Sequence, residues 1–181
     1  MTVQSPPISG GYAADPIHSS VGFAVRYMRV STFRGTFDSV SAKLDVRPSE
    51  VARAGSAEVE SISIYTPEQF RAHVLGDEFL AASAHPLITF TARHVALDED
   101  GAATVTGSLT IKGNTRTVTA LGRWSPPTPD PTGKTRAHLA LEATVNRRNY
   151  GITSDAPLPS GGNALADEVT ITVEVALVAQ E

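Results

Sequence analysis

His73 and Asp77 stand four residues apart, with Glu78 and His85 close behind. On a helix the first pair shares a face, and an imidazole beside carboxylates is the starting material of a divalent-metal site. The pattern stops short of one: there is no H-E-x-x-H spacing, no third ligand in register and no cysteine in the chain. The spacing fits ordinary polar residues on a short helix, and neither metal nor cofactor is expected. Among the other histidines, His18 follows Asp15-Pro16 where a strand begins and is expected to make a structural hydrogen bond. His94 has the parity of Phe90 and Ala92, at a point where the chain is about to leave the sheet. His138 has the parity of Arg136 and Glu142, an exposed set.

No G-x-S-x-G elbow, phosphate loop or dinucleotide fingerprint is present, so no catalytic residue is nominated. Two polar features remain. Tyr27 alternates with Val21, Phe23 and Val25, so its hydroxyl either enters an apolar interior and needs a partner or sits at a rim with its tip in water. Arg147 and Arg148 follow a strand-like run; they are either surface cations or, with Arg148 nominated, the holders of a ligand's polar head at a barrel mouth.

The elements that would position these groups are strands. Period-2 alternation recurs through Val21–Tyr27 and through Phe33–Phe37 continuing into Ala42–Val46 past a bulge near Ser39–Val40, while Ser56–Tyr65 is strand-like with a less clean alternation. It returns at Ile88–Ala92, Val105–Ile111, Val118–Trp124, Ala137–Val145 and Val169–Leu177. Lys112-Gly113-Asn114 predicts a tight turn and Asp98–Gly101 a solvated one. Thr66 as cap, Pro67 at the first position and Glu68 in the first turn predict one short helix. Ser125–Lys134, with four prolines, and Arg147–Asp167 read as long loops.

Eight such segments predict an all-β fold, an eight-stranded antiparallel barrel with one short helix. Residues 1–13 are expected to form a flexible extension and 14–180 the single domain. Gly and Ala recur among Phe and Val on the candidate inward faces, which points to unfilled space, although parity alone leaves open which face is inward. An apolar content of 41% suits a globular chain, and a net charge of −4 with interspersed signs presents no basic face to nucleic acid. No apolar run approaches a membrane span or a signal peptide's core, so a cytoplasmic protein without stable membrane insertion is expected.

Six blocks carry a resemblance: D-P-I-H-S-S-V-G-F from Asp15, R-G-T-F-D from Arg34, S-I-S-I-Y-T from Ser61, H-P-L-I-T-F from His85, G-S-L-T-I-K-G-N-T-R-T-V from Gly107 and N-R-R-N-Y-G from Asn146. In this order they resemble the YceI family of polyisoprenoid-binding, lipocalin-like proteins. The resemblance implies an apolar tunnel for an isoprenoid, quinone-like or fatty-amide lipid, often in a homodimer. Val21, Phe23, Val25, Tyr27, Phe33, Phe37, Phe90, Leu109, Trp124 and Arg148 are the nominated ligand-binding residues. The chain departs from the family where Tyr27 replaces a His, where Phe70–Val74 replaces an R-D-x-H-L pattern, and where Asn149 and Tyr150 replace an acid and a Phe. A carrier or sequestering protein is the leading expectation. An enzyme that cyclises or rearranges a hydrophobic metabolite such as a polyketide, by confinement and one or two hydrogen bonds, is the alternative. A stress-response barrel without a specific ligand is the third reading.

Overall fold

The computed structural model describes residues 8–47, 50–64 and 68–181. Its strands are β1 Gly10–Ala14, β2 Ser20–Tyr27, β3 Ser31–Phe37, β4 Val40–Arg47, β5 Glu50–Glu58, β6 Ile62–Ile64, β7 Leu87–Leu97, β8 Ala102–Ile111, β9 Asn114–Pro129, β10 Thr135–Asn146 and β11 Leu165–Ala179. One helix, α1, covers Glu68–Leu75. Every pairing is antiparallel, and β1 bonds to both β4 and β11, which closes the sheet into a barrel.

Eleven strands make eight staves, because three staves are interrupted. β1 with β2 faces β4 with β3, and β4 with β3 faces β5 with β6, so each pair forms one continuous hairpin arm. The predicted bulge near Ser39–Val40 is the break between β3 and β4. The break in the next stave is a single 3-10 turn, Val59–Ser61. The two irregularities are tied together: the Ser39 N–H donates to Ser61 Oγ at 3.0 Å, and that hydroxyl donates to the Glu58 carbonyl at 2.7 Å. Backbone groups that the breaks release from the ladder need other partners, and the Asp38 and Glu58 N–H groups find them in the Ser61 and Ser39 carbonyls.

Alternation decides the two faces. On β8, Ala103, Val105, Leu109 and Ile111 are buried, while the threonines between them face outward. The outer hydroxyls pair across strands, Thr106 with Thr119 at 2.8 Å and Thr110 with Thr115 at 2.7 Å. Lys112 and Gly113 form the predicted two-residue turn with φ of 51° and 74°, the left-handed values that such a turn requires.

Several boundaries differ from expectation, among them the start of β5 at Glu50, ahead of the expected Ser56. The sheet begins at Gly10, ahead of residue 14, because β1 is needed to seal β4 to β11. β9 runs on to Pro129, so the Ser125–Lys134 loop shrinks to a turn at its end. That stretch has lost β8 as a neighbour and bonds only to β10, which leaves it an edge where proline is tolerated. β7 does not end near His94; a bulge after Ala92 turns His94 outward and brings Val95 and Leu97 to the inner side.

The helix end of the barrel carries α1, the β2–β3 turn and the segment between β10 and β11. Thr66 and Pro67, expected to start α1, lie outside the described residues. Val74 and Leu75 pack against the cluster of Phe37, Ala57 and Ile62, and the Arg71 Nε donates to the Ile62 carbonyl at 3.1 Å. No helix among the described residues is long and apolar enough to cross a membrane.

Candidate functional site

Inward side chains from all eight staves enclose a cavity of about 760 Å³, within the roughly 300–1,000 Å³ typical of small-molecule sites. Val21, Phe23, Val25 and Phe37 line one wall; Phe90, Leu109 and Trp124 line the opposite one. Phe23 sits between Phe33 and Phe37, with ring centroids 6.1 and 5.8 Å away, and Phe33 reaches Phe70 of α1 at 6.3 Å. An aromatic path thus runs from the wall to the helix end. Trp124 keeps its polar edge satisfied, its indole N–H donating to the Asp98 carbonyl at 2.9 Å.

Small residues shape this space in two ways. Alanines at Ala92, Ala120, Ala137 and Ala143 face the cavity and leave volume there. The glycines do something else: a Cβ on Gly35 would lie 2.5 Å from the Phe23 ring, and one on Gly107 2.6 Å from the Phe90 ring. Their lack of a side chain lets the two rings lie against the wall, so this space is filled.

Tyr27 lines the cavity at its rim and is 46% exposed, so its tip is in water. Arg148 does not line the cavity. It bonds through Nε to Asp167 Oδ1 at 2.7 Å and through Nη2 to Asp155, on the outside of the barrel end. Arg147 is the inward member of the pair and only 3% exposed. Its guanidinium donates to the carbonyls of Ala166 at 2.9 Å, Ile152 at 2.9 Å and Ser154 at 2.8 Å, and pairs with Asp155 and Asp167 at 3.3 and 3.2 Å. A polar head at this mouth therefore meets an arginine already committed to the protein. One further step of the β10 alternation, Leu141, Ala143, Val145, would have found it.

The residue that sequence reasoning passed over is Tyr150. Asn146 caps the 3-10 turn Arg147–Tyr150 by accepting the Arg148 N–H at 2.9 Å, and Gly151 ends it at φ 73°. The Asn114 side chain donates to the Tyr150 carbonyl at 3.0 Å and fixes the turn to the β8–β9 hairpin. This places the Tyr150 ring among Leu109, Ile111 and Val145, 1% exposed and on the cavity wall. Its buried hydroxyl has no hydrogen-bond partner among the described residues. Burial pushes the phenol's pKa up, opposed by the Arg116 charge. The only sequence signal was a Tyr where the resembling block has Phe. At the far end Arg53 also lines the cavity, with its Nε buried and unbonded.

The polar residues considered for metal are dispersed. His73 is exposed on α1 with its ring 5.0 Å from Phe79; Asp77 and Glu78 are exposed, and His85 lies against Gly113. No group of three metal-binding side chains forms among the described residues. His18 Nδ1 bonds to Asp15 Oδ2 at 2.9 Å, the structural contact expected of it, and His138 is exposed.

Known proteins place this architecture. A UPF0312 protein of Staphylococcus aureus is 29% identical over 162 residues, covering 87% of this chain and 91% of that protein. A UPF0312 protein of Staphylococcus epidermidis is 27% identical over 158 residues, covering 86% and 90%. Among solved structures, Burkholderia cenocepacia BcnA superposes with a TM-score of 0.73 at 21% identity, over 92% of this chain and 99% of that one. A polyisoprenoid binding domain from Saccharophagus degradans, implicated in plant cell wall breakdown, gives 0.72 at 10% identity, over 96% and 100%. The profile of the YceI-like domain matches residues 12–177, and with the blocks, the closed barrel and the cavity in agreement, the chain belongs to the YceI family.

Proposed function

We propose that the protein binds one elongated apolar small molecule inside the barrel and carries or sequesters it. The observation that carries this reading is the cavity of about 760 Å³ with a wall of aliphatic and aromatic side chains. The polyisoprenoid binding domain with the same fold supports an isoprenoid among the proposed classes of isoprenoid, quinone-like and fatty-amide lipid. Val21, Phe23, Val25, Phe33, Phe37, Phe90, Leu109 and Trp124 are the proposed contacts, with Tyr27 at the mouth. Each buried methylene contributes about 0.8 kcal/mol, so ten contribute about 8 kcal/mol, against association costs of roughly 4 kcal/mol or more. Chain length therefore sets the affinity.

Displacement of a fluorescent lipid from delipidated protein, using n-alkyl amides of increasing length, tests this. Affinity is expected to climb with each methylene and then level off when the cavity is full. Phe23→Lys, which puts an ammonium against apolar walls, is expected to weaken every member of the series if the variant folds. Affinity independent of length, with folded Phe23→Lys unaffected, overturns the reading.

A further inference from the structure

The cavity wall is apolar except at a few places, and most of those are already satisfied. Trp124 donates to Asp98, Arg147 is held by three carbonyls and two carboxylates, and Tyr27 reaches water. Apart from the Arg53 Nε at the far end, Tyr150 is different: it lines the cavity, it is buried to the level of the core, and its hydroxyl has no partner among the described residues. A buried donor left unmet costs stability, and a phenylalanine would fill the same place without that cost. The ring is not loosely placed either, because the turn that carries it is capped by Asn146, pinned by Asn114 and closed by Gly151. Such a group is poised to donate to something that enters the cavity.

We infer that Tyr150 is the ligand's polar anchor, donating a hydrogen bond from its hydroxyl to a neutral oxygen acceptor, a carbonyl, ester or ether, on an otherwise apolar chain. The inference rests on the carrier reading above and adds the chemistry that selects among lipids. Neutrality follows from the surroundings: Leu109, Ile111 and Val145 pack around the ring, an ionised head there would be stripped of water, and Arg147, the inward cation of the same turn, is engaged by the protein. The direction of the bond follows from the phenol, whose ordinary pKa of 10.0 keeps it protonated at neutral pH and which burial raises further. A pure hydrocarbon would fill the cavity and leave the donor unmet; a ketone or quinone-like oxygen would meet it.

The test compares a long-chain methyl ketone with the n-alkane of equal length, on wild type and Tyr150→Phe. Trp124, the chain's single tryptophan and a cavity residue, reports occupancy through its fluorescence. Wild type is expected to prefer the ketone by about tenfold, the range that one newly satisfied buried hydrogen bond supplies. Tyr150→Phe is expected to lose that preference while binding the alkane as before. The infrared carbonyl stretch of the bound ketone should sit lower in wild type than in the variant. Alkane binding with no ketone preference in wild type, or a preference that survives Tyr150→Phe, overturns the anchor and leaves the carrier reading standing. Failure of both ligands to bind either protein overturns the carrier reading, and the anchor falls with it.

Discussion

Arg147 and Arg148 share the same two carboxylates, Asp155 and Asp167, yet one step along the chain gives them different physical roles. Arg147 continues the inward parity of β10 and ends buried, where three backbone carbonyls, two in the β10–β11 segment and one on β11, depend on it. Arg148 points outward and is 37% exposed. Truncating Arg147 to Ala strands those carbonyls, at about 1–3 kcal/mol for each buried group left unmet, so a total loss of about 3 kcal/mol or more is expected. Arg148→Ala removes pairs with half-exposed carboxylates that solvent screens, and is expected to cost much less. Urea denaturation midpoints at constant slope measure both; equal losses would mean that the inward position carries no special burden. The two arginines also mark what a sequence withholds. Parity could order them, but nothing in the sequence announces a carbonyl cluster contributed by Ile152, Ser154 and Ala166. Tyr150 was harder still, because it sits on a 3-10 turn where period 2 no longer says which way a side chain points.

At the scale of elements, most staves were legible because their inward faces are largely apolar rows that a one-residue slip would expose, whereas β5, with Arg53 facing inward, was read only from Ser56 onward. What hid β1 was its brevity and its two glycines; what hid the end of β9 was proline, read as a loop former although one side of that strand is free. The far end is tied by a cluster that spans these same elements. Arg136 of β10 donates from Nη1 to Asp15, in the break between β1 and β2, at 2.5 Å, and from Nε to Asp130, in the β9–β10 turn, at 2.6 Å. The His18 side chain and then Arg136 hold the Asp15 carboxyl far below its ordinary value of 3.8. The Thr132 hydroxyl and then Arg136 do the same for Asp130. Both groups titrate lower in the folded chain than in the unfolded one, so their contribution is fully present above about pH 4. Protons bind the unfolded state first as pH falls, and the contribution is lost on the way down to the folded values. Arg136→Met is therefore expected to lower stability at pH 7 and to flatten its decline between pH 4 and pH 2. Urea midpoints across that range check it, and a decline as steep as in wild type would assign acid sensitivity to other carboxylates.

For the whole molecule, the closed barrel and its cavity are opposing demands on one set of side chains. A core packed to the usual density would be stabler, since atoms lining a void lack dispersion partners on one side. Here alanines at Ala92, Ala120, Ala137 and Ala143 keep space open that leucines would close. The proposed ligand supplies the missing contacts, so the loaded barrel should melt higher than the empty one. At a free ligand concentration of 100 times Kd the gain is about 2.7 kcal/mol. For a domain of this length that is a Tm rise of roughly 5–10 °C. Ala120→Leu with Ala143→Leu, on the neighbouring strands β9 and β10, tests the trade directly. If the space is real, the added carbons settle into it, the empty protein melts higher, and the ligand-induced rise shrinks. The chain length at which affinity levels off should also shorten, because the filled variant holds fewer methylenes. Overpacking would look different: a drop in Tm of the empty protein, as a forced rotamer or shifted strand costs about 1–3 kcal/mol. A destabilised variant that still binds the longest chains as wild type does would place the ligand outside the barrel.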